Sequence, residues 1–328
     1  MASYSRILRG TTSALFLAAA FLATGCGDED LAAVDNEDNQ VGMGLPPVDA
    51  DEEAMPEGDA SLLKPCGTPT PTAEEMAAND AVVEQFRADM KARAAEKQGS
   101  PSSFVVQSGT IVVFVHVINK GPTVEEGNIT DNKIYKQIVA LSQAYYNVTG
   151  WQFYGYETDR TTNPAWYAAW PGSTAEADMK NALHRGTESA LNLYITQPSN
   201  GVVGWATRPE QYYYNPMMDG VVINNQTLPS NSTTNAYNQG KVAVHEVGHW
   251  LGLYHTFENG CGNPGDYVSD TPASKSPTYG CPASRDSCSS SGTDPFHNYM
   301  DYTDDACMWE FTWGQDARID EQWTIWRY

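Results

Sequence analysis

His245-Glu-Val-Gly-His-Trp-Leu-Gly-Leu-Tyr-His255 is the stretch on which the reading of this chain turns. Two His four residues apart on a helix differ in direction by about 40°, so their imidazoles leave from one face and can share a cation. Gly252 can take the left-handed conformation that ends a helix sharply, which swings His255 round to a third position. Glu246 sits beside the pair, near enough to hold a water without being a ligand. Three neutral imidazoles with a fourth position open describe a catalytic zinc rather than a structural one. H-E-x-x-H alone would be a common accident, but here five positions are fixed over eleven residues, and such a match rarely arises by chance.

The helix carrying this stretch is predicted over 237–253. Upstream, Thr110 to Ile118 is a nearly continuous β-branched run and reads as a buried strand. A helix follows over 130–147, with Ile134, Ile138, Leu141 and Tyr145 on one face. Further strands are expected at 151–156, 190–195, 202–206 and 220–224, and a further helix at 175–183. Strand and helix alternate, which predicts a mixed α/β sheet. Val202 to Ala206 reads as an edge strand, on which an extended peptide could lie by strand addition. From Gly260 onward Gly, Pro, Ser, Asp and Cys dominate and periodicity fades. Cys261, Cys281, Cys288 and Cys307 fall there, and four cysteines admit three pairings.

The chain has 328 residues, 19 Lys plus Arg and 41 Asp plus Glu, a formal charge of -22. Phosphate contacts need clustered cations, so nucleic acid is excluded as a partner. Residues 28–60 hold twelve of the acidic side chains with no Lys, Arg or aromatic residue, and such a segment cannot build a core. Ahead of it, Arg6 and Arg9 precede an apolar run from Ala14 to Ala23, too short to span a bilayer and suited to an export signal. The run ends in Leu22-Ala-Thr-Gly-Cys26, which resembles a bacterial lipobox with its Leu one place early, so Cys26 is a lipidation candidate. Ordinary cleavage near Gly25 is the alternative. An exported chain permits disulfides. Past the tether, Thr72 with Glu75 forms a capping box that opens a helix running to about Lys97, with Met76, Val83, Phe86 and Met90 on one face. Residues 1–25, 26–61, 62–103 and 104–328 thus divide as signal peptide, acidic tether, small N-terminal unit and main domain.

Asn298-Tyr-Met-Asp-Tyr302 resembles the Met-turn of the metzincin metalloproteases, which also share the extended His pattern. With GDYVSDTP at 265–272, DPFHNYMDYTDDAC at 294–307 and CGTP at 66–69, the chain resembles the pappalysin family in its cytophagalysin branch, over about residues 61–328. The resemblance implies an α/β metzincin-type catalytic domain: a mixed twisted sheet, an active-site helix, and a loop-rich, disulfide-stapled C-terminal subdomain with a Met-turn. It implies His245, His249 and His255 as zinc ligands, Glu246 as general base, Met300 as an apolar floor and Tyr302 as the phenol that stabilises the oxyanion. It pairs Cys261 with Cys288 and Cys281 with Cys307. It makes residues 62–103 a prosegment whose Cys66 ligates zinc in a latent form; a foreign disulfide or an inert thiol are the competing readings of Cys66. Asp266 and Asp270 become candidate calcium ligands, against a solvated acidic loop. Asp304 and Asp305 become candidates for a pocket accepting Arg or Lys after the scissile bond. His116, His184 and His297 are expected to be structural.

These readings describe a monomeric zinc endopeptidase acting on proteins or peptides, held latent by its own prosegment. It is exported, either as a cell-envelope lipoprotein touching the membrane only through Cys26 or as a secreted enzyme. Serine or thiol catalysis is disfavoured, since no G-x-S-x-G occurs. The rival class is a surface lipoprotein that binds peptide or matrix protein without turnover; the intact Glu246 and complete His set count against it. A narrower variant has the prosegment as its only substrate.

Overall fold

The computed structural model describes residues 65–97, 105–232, 235–290 and 292–328. The export signal, the tether, Cys26 and the linker after residue 97 lie outside the described residues. Five strands, β1 Gly109–Asn119, β2 Trp151–Thr162, β3 Ala190–Thr196, β4 Gly204–Ala206 and β5 Val221–Asn224, form one sheet in the order β2-β1-β3-β5-β4. The first three pairings are parallel, and β4 joins antiparallel to β5 as an edge. The expected mixed sheet is present. Five helices of ten residues or more among the described residues accompany it: α1 Ala73–Lys97, α2 Asp131–Thr149, α3 Thr174–Leu183, α4 Lys241–Trp250 and α5 Trp313–Trp326.

Because side chains alternate across a strand, β1 feeds both faces of the sheet. Ile111, Val113, Val115 and Val117 pack with Leu141 and Tyr145 of α2 and with Val244, Val247 and Trp250 of α4. Ile118 faces the other way, into a smaller cluster with Met179 and Leu183 of α3, Tyr194, Trp205 and Val222. Burial on both faces explains why β1 and β3 read as continuous apolar runs rather than alternating ones. Tyr145 reaches across to donate its hydroxyl to the carbonyl of Val244 at 2.8 Å, which ties α2 to the active-site helix.

Three elements differ from the sequence expectation. The strand expected at 151–156 continues to Thr162, following β1 past a register shift between Val113 and Phe114. The active-site helix starts at Lys241, four residues late, because Gly240 precedes it in the left-handed region at φ 78°. Helix α5 was hidden within the loop-rich stretch. It opens with a capping box between Thr312 and Gln315, and its Trp323 packs 4.5 Å from Trp151. Its end is fixed by Arg327, which stacks 3.6 Å over Trp250 and pairs with the fully buried Asp219.

The rest of the C-terminal region is irregular, and disulfides join Cys261 to Cys288 and Cys281 to Cys307. On the amino-terminal side, α1 begins at the expected capping box, with Glu75 N donating to Thr72 Oγ1 at 3.1 Å and Thr72 N to Glu75 Oε2 at 2.8 Å. Met76, Val83 and Met90 are buried on the expected face, and Arg87 grips Glu321 of α5 through two 2.7 Å hydrogen bonds.

Candidate active site

Helix α4 delivers His245 and His249 from one face, as their spacing requires. The chain then turns at Gly252, where φ is 94° and an added Cβ would meet Gln322 Cγ at 2.6 Å, so only glycine fits. That turn returns His255 to the other two. The Nε2 atoms of His245 and His255 lie 3.1 and 3.0 Å from that of His249. Each Nδ1 is occupied elsewhere: His245 at 2.7 Å from the Tyr299 carbonyl, His249 at 2.9 Å from the Leu253 carbonyl, His255 at 2.7 Å from a Glu258 oxygen. The two carbonyls can only accept, as can Glu258 when ionised, and with Glu258 in that form each ring carries its proton on Nδ1 and presents a bare Nε2 lone pair. Protonation does not relieve the three facing lone pairs: burial pushes the His245 pKa down to about 4, and burial with neighbouring imidazoles holds His249 and His255 well below the usual range. A cation at the convergence satisfies all three, and the donor set fits a divalent metal of the zinc type.

Cys66 closes the group. Its Sγ is 3.8 Å from His249 Nε2, and the four potential ligand atoms all lie within 4.8 Å of one another. Among the described residues this is the one His, Cys, Asp and Glu cluster of three or more that could hold a metal ion. Burial, then the Glu246 carboxylate, pushes the Cys66 thiol pKa well up in the absence of a cation.

Glu246 is fully buried, and burial raises its carboxyl to about 8. Thr68 donates its hydroxyl to Glu246 Oε2 at 2.6 Å, while Oε1 has no hydrogen-bond partner. The same Thr68 Oγ1 accepts from Ala206 N at 2.8 Å, and Gly67 N donates to the Gly204 carbonyl at 2.7 Å. The expected edge strand therefore carries a peptide, residues 67–68. Gly67 is required there, because a Cβ would lie 2.6 Å from Val202 Cγ1. Met300 is fully buried and sits against Gly248, on the underside of α4. Tyr302 brings its hydroxyl to 3.0 Å from His255 Nε2.

Beside the imidazoles lies a cavity whose lining includes Pro65, His245, Tyr302 and Met308, the carboxylates Asp301 and Asp305, and the cation Lys241. Asp305 accepts from Gln239 N at 2.7 Å and Lys241 N at 3.3 Å, standing in for the side-chain cap that Gly240 cannot provide; burial lifts its pKa to about 7. Asp305 Oδ1 and Asp301 Oδ2 are both buried with no hydrogen-bond partner among the described residues. Asp304 is not among the lining residues.

Asp266 and Asp270 serve other contacts. Asp266 accepts from Val268 N and Thr271 Oγ1, and Asp270 from Thr312 Oγ1 and Gly314 N at the start of α5. No third acidic, His or Cys residue among those described joins them as a metal cluster. His116 bridges Asp159 and Asn192, His184 caps the end of α3, and His297 stacks on Trp309; none enters the site. Sequence reasoning missed Thr68, Arg208, Glu258 and Asp301. Thr68 had a signal in its place within CGTP and Asp301 in its place within the Met-turn stretch; Glu258 lies three residues from His255, and Arg208 depends on a contact with the distant Pro69.

The Peptidase M43 family model, pregnancy-associated plasma protein-A, matches residues 175–323. An extracellular metalloprotease of Podospora anserina is 40% identical over 272 residues, covering 80% of this chain and 89% of the relative. One from Arthroderma benhamiae is 46% identical over 225 residues, covering 66% and 79%. Among solved structures, mature mirolysin of Tannerella forsythia in complex with a cleaved peptide matches with a TM-score of 0.54 at 26% identity, over 68% of this chain and 97% of that one. The fold of a promirolysin mutant matches at 0.58, over 79% and 93%, at 24% identity. With its mixed sheet, helix-borne His pair and turn beneath the metal position, the chain belongs to the Peptidase M43 (pappalysin) family of metzincin metalloproteases.

Proposed function

We propose that this metalloprotease is an extracellular zinc endopeptidase made as a latent zymogen. The observation that carries the reading is the convergence of three proton-free Nε2 atoms, with the Cys66 thiol at the remaining side and the Glu246 carboxylate adjacent. His245, His249 and His255 would hold the zinc, which supplies Lewis acidity to the scissile carbonyl and to the attacking water. Glu246 takes the proton of that water and passes it to the departing amine; its carboxyl, raised by burial, is suited to both steps. Tyr302 donates its phenol to the developing oxyanion, and Met300 holds the floor under the ligands. No covalent intermediate is needed.

Latency follows from residues 66–68. Cys66 would take the remaining place on the metal and so keep water out, while Thr68 occupies the general base and lies along the edge strand where substrate would pair. Activation then requires removal of the prosegment. In the cavity, two carboxylates, Asp301 and Asp305, face one cation, Lys241, a balance that supports Arg or Lys as the residue after the scissile bond. The extracellular naming of the fungal relatives supports export, and the cleaved peptide held by mirolysin supports peptide substrates.

The test is proteolysis itself. Processed enzyme is expected to cleave casein, and a chelator or Glu246→Ala to abolish the cleavage. Persistent activity in Glu246→Ala would refute the reading.

A further inference from the structure

Arg208 is a buried charge that the mechanism above leaves unused. It follows β4 by two residues and is only 5% exposed. Its Nε is held 2.8 Å from Glu210 Oε1, and its Nη1 donates to the Pro69 carbonyl at 2.7 Å. The guanidinium is thus fixed by its own neighbourhood while its outer nitrogen is turned to the cleft peptide.

Contacts of that peptide occur in a definite order. Pro65 lines the cavity beside Asp305, Cys66 meets the imidazoles, Gly67 pairs with Gly204, Thr68 with Ala206, and Pro69 with Arg208. The prosegment therefore runs in the same direction as β4, from the cavity past the three histidines to Arg208. If the cavity receives the residue after the scissile bond, as proposed above, then Arg208 stands beyond the histidines on the amino side of that bond. Removal of the prosegment takes the Pro69 carbonyl from Nη1 while Glu210 still holds the guanidinium, which leaves a fixed donor facing the vacated groove.

We propose that Arg208 anchors substrate in the mature enzyme: Nη1 donates to a main-chain carbonyl of the bound peptide on the amino side of the scissile bond. The contact is independent of substrate sequence, because every residue offers that carbonyl. It is preorganised, because Glu210 already holds the guanidinium in place. One charge-assisted hydrogen bond of this kind is worth about a tenfold change in affinity. The proposal rests on the hydrolase reading and on the cavity assignment.

The experiment uses enzyme activated from the full chain by proteolytic removal of the prosegment. Two peptides share their residues after the scissile bond; one extends four residues on the amino side, the other carries a single blocked residue there. Wild-type enzyme is expected to show a KM about tenfold lower for the long peptide, and Arg208→Ala to lose that advantage. Should the alanine variant fold poorly, Arg208→Gln, which keeps bulk and a neutral donor, is expected to lose most of it. A long-peptide advantage that survives in the variants, or that the wild type never shows, overturns the proposal. Chelator-sensitive turnover of the short peptide by the wild type reports the hydrolase reading separately.

Discussion

From β1 to the end of α4 aliphatic and aromatic side chains outnumber polar ones in the interior and the buried carboxylates are Glu176, Asp219 and Glu246, whereas between Gly252 and Thr312 buried polar side chains match the apolar ones and carboxylates are concentrated. Asp266, Asp294, Asp301 and Asp305 are all buried. Asp294 accepts from Ser274 Oγ, Ser287 N and Ser287 Oγ and pairs with Arg285 at 3.0 Å, and Asp301 accepts from Thr278 N at 2.8 Å. The first region is held by burial of apolar surface, which is non-directional and cooperative. The second is held by short-range acceptors for backbone N–H groups that no helix or strand satisfies, plus two disulfides. The cluster of imidazoles lies on the seam: His245 and His249 come from the first region, His255 and Tyr302 from the second. A rigid helix sets two ligands, and a stapled loop must be held to the same precision for the third.

The largest expected effect is at the tie between the sheet layer and the chain end. Asp219 and Arg327 are both fully buried, and Trp250 Nε1 also donates to Asp219 at 2.9 Å. Asp219→Ala leaves a buried guanidinium unpaired and is expected to cost about 3–5 kcal/mol, read by denaturant unfolding. Next, Cys281→Ser with Cys307→Ser opens a link spanning 26 residues and is expected to cost about 2–5 kcal/mol. Hydrogen exchange sharpens the contrast: protection should fall over 278–308 and persist in β1 and β3. Equal loss in both would mean the regions unfold as one.

A smaller effect is expected at the third ligand. His245 and His249 donate to backbone carbonyls, whereas His255 depends on a side chain, Glu258, at 2.7 Å. Glu258→Met is expected to weaken zinc binding about 10- to 100-fold by chelator competition, and Glu258→Gln, which keeps an acceptor, much less. Smallest is Arg87→Ala. The Arg87–Glu321 pair is exposed at 44% and 15% of the side chains, so its loss should weaken prosegment docking by no more than about 1 kcal/mol, read as the inhibition constant of the separated prosegment.

The same division explains what was legible in the sequence. An unbroken β-branched run revealed β1 and a 3.6-residue apolar period revealed α2, because their apolar faces meet apolar partners. The spacing of His245, His249, Gly252 and His255 foretold the convergence of the three imidazoles, because helix geometry and one left-handed glycine are local facts. Helix α5 stayed hidden since its inward residues include Gln315, Arg318, Asp320 and Gln322, which read as a solvated surface. The capping box of Thr312 with Gln315 was the signal available for it. Thr68, Glu258 and Arg208 act through partners far along the chain or across a loop, and no periodicity announces them. Cys66 was legible only through a resemblance, because one cysteine has no pattern of its own.

The most direct test of the account is the coordination of zinc in the full-length precursor, measured by X-ray absorption at the zinc edge. Three nitrogens at about 2.0–2.1 Å and one sulfur at about 2.3 Å are expected, with the sulfur lost in Cys66→Ser and after removal of the prosegment. A precursor that binds zinc without sulfur, or keeps its three-nitrogen signal after His255→Ala, would contradict the account.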